Sequence, residues 1–208
     1  MTPRRPQVRV GGEARRAALI EATLDLIAEG GSEAATVRAI AVRAGVTPGL
    51  IRHYFTTKED LIAAAHEALM TSLTEASAAS LDRLPDDPLA RLAGFIAASV
   101  SAPVTDPRAV SLWSASMQQV ARDPSMRSVH QATYLAFRDR LEGLIRDALH
   151  VKGRSVVDSR ALAIAGNALL DGLWIEAGAL PDHFAPGELK TIAINSFESL
   201  LQIEFARD

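Results

Sequence analysis

Between Thr47 and Leu61 the chain reads TPGLIRHYFTTKEDL, and it gathers there groups able to grip a polyanion. Arg52, His53 and Tyr54 are consecutive, and Lys58 follows within one turn of the next helical stretch. Arginine neutralises a phosphate or forks onto a guanine edge, histidine and tyrosine donate hydrogen bonds, and lysine acts as a point cation. Thr47, Pro48 and Gly49 put little bulk ahead of these groups, which lets a backbone approach a groove closely. Leu50, Ile51 and Phe55 suit the opposite face and turn back into a core. At Lys58 an ammonium and the free N–H groups of a helix start can meet one phosphate. Each residue taken alone reads as ordinary surface or core; the order and spacing together carry the inference.

Short helices must hold these groups in place. Leu19, Ala22, Thr23 and Leu26, with Ile20, Leu24 and Ile27, recur at helical spacing from about Glu13, and Gly30-Gly31 end that helix. Thr36 suits the N-cap of a second helix that runs through Ala44. Gly45 ends it, and Thr47 opens a third helix with Pro48 in its first turn, where a missing N–H costs little. Two short helices joined by AGVT form the helix-turn-helix pattern, whose second helix lies in the DNA major groove. Thr57 caps a fourth helix, and Glu59 and Asp60 suit the positive end of its dipole.

Charge follows the same division. Residues 1–58 hold nine Lys/Arg against five Asp/Glu, whereas residues 59–208 hold 13 against 20. A basic N-terminal quarter on an acidic body presents a local positive face. Residues 1–12, with Arg4, Arg5 and Arg9, read as a flexible basic arm, residues 13–58 as the helix-turn-helix domain and residues 59–208 as a helical body. In that body proline-bearing breaks separate further helices: about to Ser101, from Arg108 to Ala121, from Pro124 through Ala148, from Val156 to Ala177 and from Glu188 to Phe205. The fold class is all-α, with about nine helices. The chain has no cysteine, which suits a reducing cytoplasm, and no stretch approaches the roughly 20 apolar residues of a membrane span. It lacks a phosphate-binding glycine loop, an HExxH and a GxSxG, so no catalytic residue, metal or cofactor is expected. His130 and Asp139 read as surface groups of one helix.

The segment LIEATLDLIAEGGSEAATVRAIAVRAGVTPGLIRHYFTTKEDLI resembles the N-terminal domain of the TetR family of transcriptional regulators. The resemblance implies a three-helix DNA-binding domain and a larger helical body that dimerises and holds a ligand pocket. It also implies that Thr36 and Arg38 touch DNA from the start of the second helix. Thr47, Pro48, Gly49 and Arg52 fall on groove-facing positions, and Tyr54 and Lys58 on phosphate-clamping ones. The family more often has tyrosine where Arg52 stands, so the operator sequence cannot be carried over. SLWSASMQQVARDPSM and LLDGLWIEAGAL are similar to the body of the BetI-type repressors of the family.

For an effector, Trp113, Met117, Gln118, Tyr134, Asn167, Asp171 and Trp174 are the candidates. Asn167, Asp171 and Trp174 share one helix face, and an aromatic ring beside a carboxylate suits a cation. Both tryptophans equally suit core or dimer packing, and Asp171 a bond to a neighbouring helix. The last two helices are apolar over more than one stripe, and the family uses them as a four-helix interface; Leu169, Leu173, Ile192, Phe197 and Leu200 are its expected centre. The expected partners are thus double-stranded operator DNA, a second copy of the chain and an unidentified small-molecule effector.

Overall fold

The computed structural model describes residues 7–206. Over them the protein is all-helical: α1 Gln7–Ala34, α2 Val37–Arg43, α3 Pro48–Tyr54, α4 Lys58–Ala78, α5 Pro88–Ser99, α6 Pro107–Arg122, α7 Pro124–Val151, α8 Ser159–Ala179 and α9 Glu188–Leu201. Short 3-10 turns at Leu81–Arg83 and Pro181–His183 complete the elements, and no strand occurs among the described residues. Four helices, α3, α5, α6 and α7, begin on a proline, which needs no hydrogen-bond partner there.

Three boundaries differ most from the sequence reading. The first helix starts by Gln7, so the part of the arm from Gln7 to Gly12 is helical; Arg4 and Arg5 lie outside the described residues, as does the side chain of Arg9. Helical geometry breaks at Gly30 and Gly31 as expected, Gly31 having φ +70°, and Ser32–Ala34 form a separate last turn. The break LPDDP, Leu84–Pro88, places the end of the fourth helix near Asp82, but the helix stops at Ala78 and the separate 3-10 turn Leu81–Arg83 follows. The ninth stops at Leu201 because Gln202 turns left-handed at φ 53°. The extended tail still buries Ile203 and Phe205, and Glu198 holds it, accepting from the Phe205 N–H.

The chain divides into two compact units. One comprises residues up to Leu69 together with Ser111–His130; the other comprises Met70–Val110 and the chain from Gln131 onward. The first unit is thus larger than the block 13–58 read from sequence, because it takes in the start of α4 and the stretch across the α6–α7 junction. Within it α1 packs on α2 and α2 on α3, with Leu19, Ile40, Ile51 and Leu61 buried. In the second unit α5 and α8 both pack on α9 around Phe95, Ile96, Leu141, Ile145 and Phe197.

Phe197 therefore does not stand at a dimer surface. It is fully buried in its own chain, and its ring lies against Gly166, where an added Cβ would come within 2.7 Å of it. Leu169, Leu173 and Leu200 are half-buried against the same core and keep part of their surface outside, and Ile192 is half-buried as well. We expect Phe197→Ala to lower stability by about 3–5 kcal/mol, through lost contacts and the void left behind. Denaturant unfolding at fixed protein concentration measures it.

Candidate nucleic-acid interface

The joint between α2 and α3 has a defined geometry. The Val46 N–H donates to the Ala41 carbonyl at 2.9 Å, and the Gly45 N–H to the Val42 carbonyl at 3.2 Å. This pair closes the α2 end as a Schellman turn, which needs a left-handed residue between them. Gly45 supplies it at φ +64°, a conformation costly for any residue with a Cβ. Thr47 then enters α3 with extended backbone, φ −83° and ψ 149°.

This turn leaves one face of α3 open. Thr47, Pro48, Gly49, Arg52 and His53 are exposed, Tyr54 is half-buried, and Ile51 and Phe55 point into the core. The His53 and Tyr54 rings meet edge to face at 5.2 Å. Thr36 and Arg38 are exposed at the start of α2. The Thr36 hydroxyl oxygen caps that helix, accepting from the Ala39 N–H at 3.2 Å, so its proton remains available to an outside acceptor. At the α4 start, Thr57 and Asp60 cap each other: Asp60 N–H to Thr57 Oγ1 and Thr57 N–H to Asp60 Oδ2, both 3.0 Å. Lys58, half-buried, sits inside this fixed turn.

Two cationic contacts brace the unit and escaped the sequence reading. Arg43 on α2 reaches back to α1, its two nitrogens on the Glu29 carboxylate at 2.9 and 2.6 Å, with Asp25 at 3.6 Å. The hydrogen bond from Arg43 holds the Glu29 carboxyl below its usual range. The Arg16 guanidinium lies 5.3 Å from the centre of the Phe55 ring, so α1 also holds the end of α3. No spacing rule in the sequence pairs these residues.

His130 is no isolated surface group. Its Nδ1 lies 3.1 Å from Nε2 of the fully buried His66, and the far nitrogen of His66 has no partner. Burial, reinforced by the neighbouring imidazole, pushes the His66 pKa down to about 4.

The seven effector candidates divide between the units. Trp113 and Met117 are half-buried and Gln118 exposed on the α6 portion of the first. In the second, Tyr134, Asn167 and Asp171 form one polar cluster. The Tyr134 hydroxyl donates to Asp171 Oδ2 at 2.7 Å, and Asn167 Nδ2 donates to Asp171 at 3.0 Å and to the Tyr134 oxygen. Burial raises the Asp171 pKa, against the pull of these two donors, and raises that of Tyr134 as well. Trp174 is buried and donates its indole N–H to the Val104 carbonyl at 2.6 Å, so it is a core residue tied to the loop before α6.

An exposed polar helix presented by a Schellman turn, with a capped lysine beyond it, defines a helix-turn-helix protein. Comparison with known sequences agrees: residues 19–65 match the tetR family of bacterial regulatory proteins, and residues 88–202 match the C-terminal part of BetI-type transcriptional repressors. The chain belongs to the TetR family and has a BetI-type body. It is 32% identical over 192 residues to the HTH-type transcriptional regulator BetI 2 of Chromohalobacter salexigens, covering 90% of this chain and 88% of that one. To BetI of Yersinia pestis it is 31% identical, covering 92% and 94% of the two chains. A solved transcriptional regulator from Pseudomonas aeruginosa PAO1 superposes with a TM-score of 0.84 at 34% identity over 91% of each chain. A regulator from Saccharomonospora viridis, solved in complex with choline, shares the fold at 21% identity, with a TM-score of 0.75 over 90% of this chain and 96% of that one. The protein is a transcriptional regulator and not an enzyme. No helix among the described residues is long and apolar enough to cross a membrane.

The histidine pair makes stability depend on pH. Folded His66 stays neutral down to about pH 4, whereas an unfolded histidine protonates near its ordinary value of 6.5. Its contribution is therefore intact above pH 6.5 and lost as pH falls from there to about 4, by up to about 3 kcal/mol. Urea unfolding across that range should show the slope, and His66→Gln should flatten it.

Proposed function

We propose that the protein is a ligand-responsive repressor that binds a palindromic operator as a dimer. The observation that carries the reading is the open face of α3, Thr47, Pro48, Gly49, Arg52 and His53, with Lys58 at the next helix start. In this reading α3 enters the major groove, Arg52 and His53 meet base edges or flanking phosphates, and Thr36, Arg38, Tyr54 and Lys58 hold the backbone. Repression then follows from occupying the promoter.

Dimerisation is proposed through α8 and α9. On α8, Ile164 and Ile175 stay 41% and 43% exposed, in line with exposed Ala168 and Gly172, and leave an apolar stripe without cover in the single chain. Leu169, Leu173, Ile192 and Leu200 flank it with their outer surfaces. A two-fold places two copies of α3 in major grooves about 34–36 Å apart, or a helical multiple of that spacing.

The effector is proposed to bind in the body and to be cationic. The Asp171 carboxylate is partly desolvated, accepts from the neutral Tyr134 and Asn167, and makes no ion pair within 4.0 Å among the described residues. The related choline complex supports a quaternary ammonium as the first compound to try. A ligand that binds more tightly to the DNA-incompetent form lowers operator affinity by its own preference, and DNA must weaken the ligand by the same factor.

Binding to promoter DNA as a function of salt tests the interface. Lys58→Ala is expected to weaken binding to all sequences and flatten the log–log salt slope by about one. Arg52→Ala is expected to cost about 1–3 kcal/mol, and selectivity with it where it reads a base. An unchanged slope for Lys58→Ala removes the phosphate contact.

Sedimentation tests the interface between copies: the native chain should run as a dimer at micromolar concentration and Ile164→Glu as a smaller species. Choline affinity, measured with and without operator DNA, tests the coupling. Equal values in the two cases sink it for that ligand.

A further inference from the structure

One void belongs wholly to the first unit. The end of α1, the first turn of α4 and the α6–α7 junction enclose a cleft of about 510 Å³. That is within the size range of small-molecule sites. Ile62, Met126 and Ala115 give it apolar walls, Ile62 and Met126 being buried.

Around these walls stand five charges. Lys58 and Arg122 are cationic; Glu33, Glu59 and Asp123 are anionic. Elsewhere in this unit opposite charges close on each other, as Arg43 does on Glu29 at 2.6 Å. Here they do not: among the described residues none of the five makes an ion pair within 4.0 Å. Only Asp123 has a partner, one carboxylate oxygen accepting from the Ser125 N–H at 2.8 Å. The side-chain amides of Gln118 and Gln119 also line the void and have no hydrogen-bond partner among the described residues. Long side chains of both signs thus surround an apolar floor and leave the space between them open. A lone anion would meet three carboxylates there and a lone cation two bases, so neither is matched. A molecule that carries both signs is.

We propose that this cleft binds a small zwitterion. Its acid group lies toward Lys58 and Arg122, its ammonium toward Glu33 and Glu59, and its aliphatic middle over Ile62 and Met126. The site is separate from the Tyr134–Asn167–Asp171 cluster, which belongs to the other unit. One consequence rests on the proposed function: if Lys58 clamps a DNA phosphate, ligand and operator draw on the same ammonium. Control at this cleft is then direct competition.

The test is calorimetric titration of the full chain, without DNA, by γ-aminobutyrate, with butyrate and butylamine as one-charge controls. The expected result is saturable binding of the zwitterion, tighter than either control by about tenfold or more. Ala115→Phe, which fills the cleft, should abolish it. Glu33→Gln removes one exposed charge without touching the core; it should weaken the zwitterion and leave butyrate no weaker than before. No saturable binding, binding no tighter than the controls, or equal affinity in the native protein and both variants overturns the proposal. Repeating the titration on the operator complex separates the two readings. Weaker zwitterion binding there supports the shared ammonium. Unchanged affinity keeps the cleft site and overturns the contact between Lys58 and phosphate.

Discussion

Two backbone hydrogen bonds at the end of α2 decide what the first unit can present. Val46 to Ala41 and Gly45 to Val42 complete a turn whose hand is set by the positive φ of Gly45. They determine the direction in which Thr47 leaves, and with it which side of a seven-residue helix faces outward. α3 is too short to be stable alone, so its orientation comes from its ends and from Ile51 and Phe55 beneath it. Arg16 above the Phe55 ring and the mutual Thr57–Asp60 cap hold the far end. The outward side of α3 is thus set by its two ends and by the buried side chains beneath it, and not by the exposed Arg52 and His53 themselves.

Polar chemistry is handled differently in the two units. In the second, the Tyr134–Asn167–Asp171 cluster satisfies its members internally, and its cost appears as a carboxyl group held more weakly acidic by burial. In the first, His66 keeps one ring nitrogen without a partner inside the core. Such a group costs stability even when neutral and far more when charged, and the burial and the adjacent imidazole both hold it neutral.

Legibility followed the range of the interaction. Prolines at helix starts, Gly30-Gly31, Gly45 and the Thr36 cap act within a turn, so pattern and spacing reveal them. Arg43 with Glu29 spans 14 residues and His66 with His130 spans 64, and no local period links such pairs. The end of α9 was overrun for a related reason: Ile203 and Phe205 continue the apolar count, yet they are buried from an extended tail that a periodicity reading takes for helix. Spacing alone puts Phe197 at the interface between copies, because an apolar stripe does not say which of two cores it serves. The two sides of α3 were legible because apolar Ile51 and Phe55 and polar Arg52 and His53 separate within two helical turns.

The fit of the Phe197 ring against Gly166 has an evolutionary consequence. Any side chain at 166 must displace that ring, and a smaller residue at 197 alone leaves an empty space. Neither position can drift by itself without loss. A replacement of glycine at 166 is tolerable in a relative chiefly where the aromatic at 197 has already shrunk, so the order in which the two substitutions arise constrains the routes open to this core.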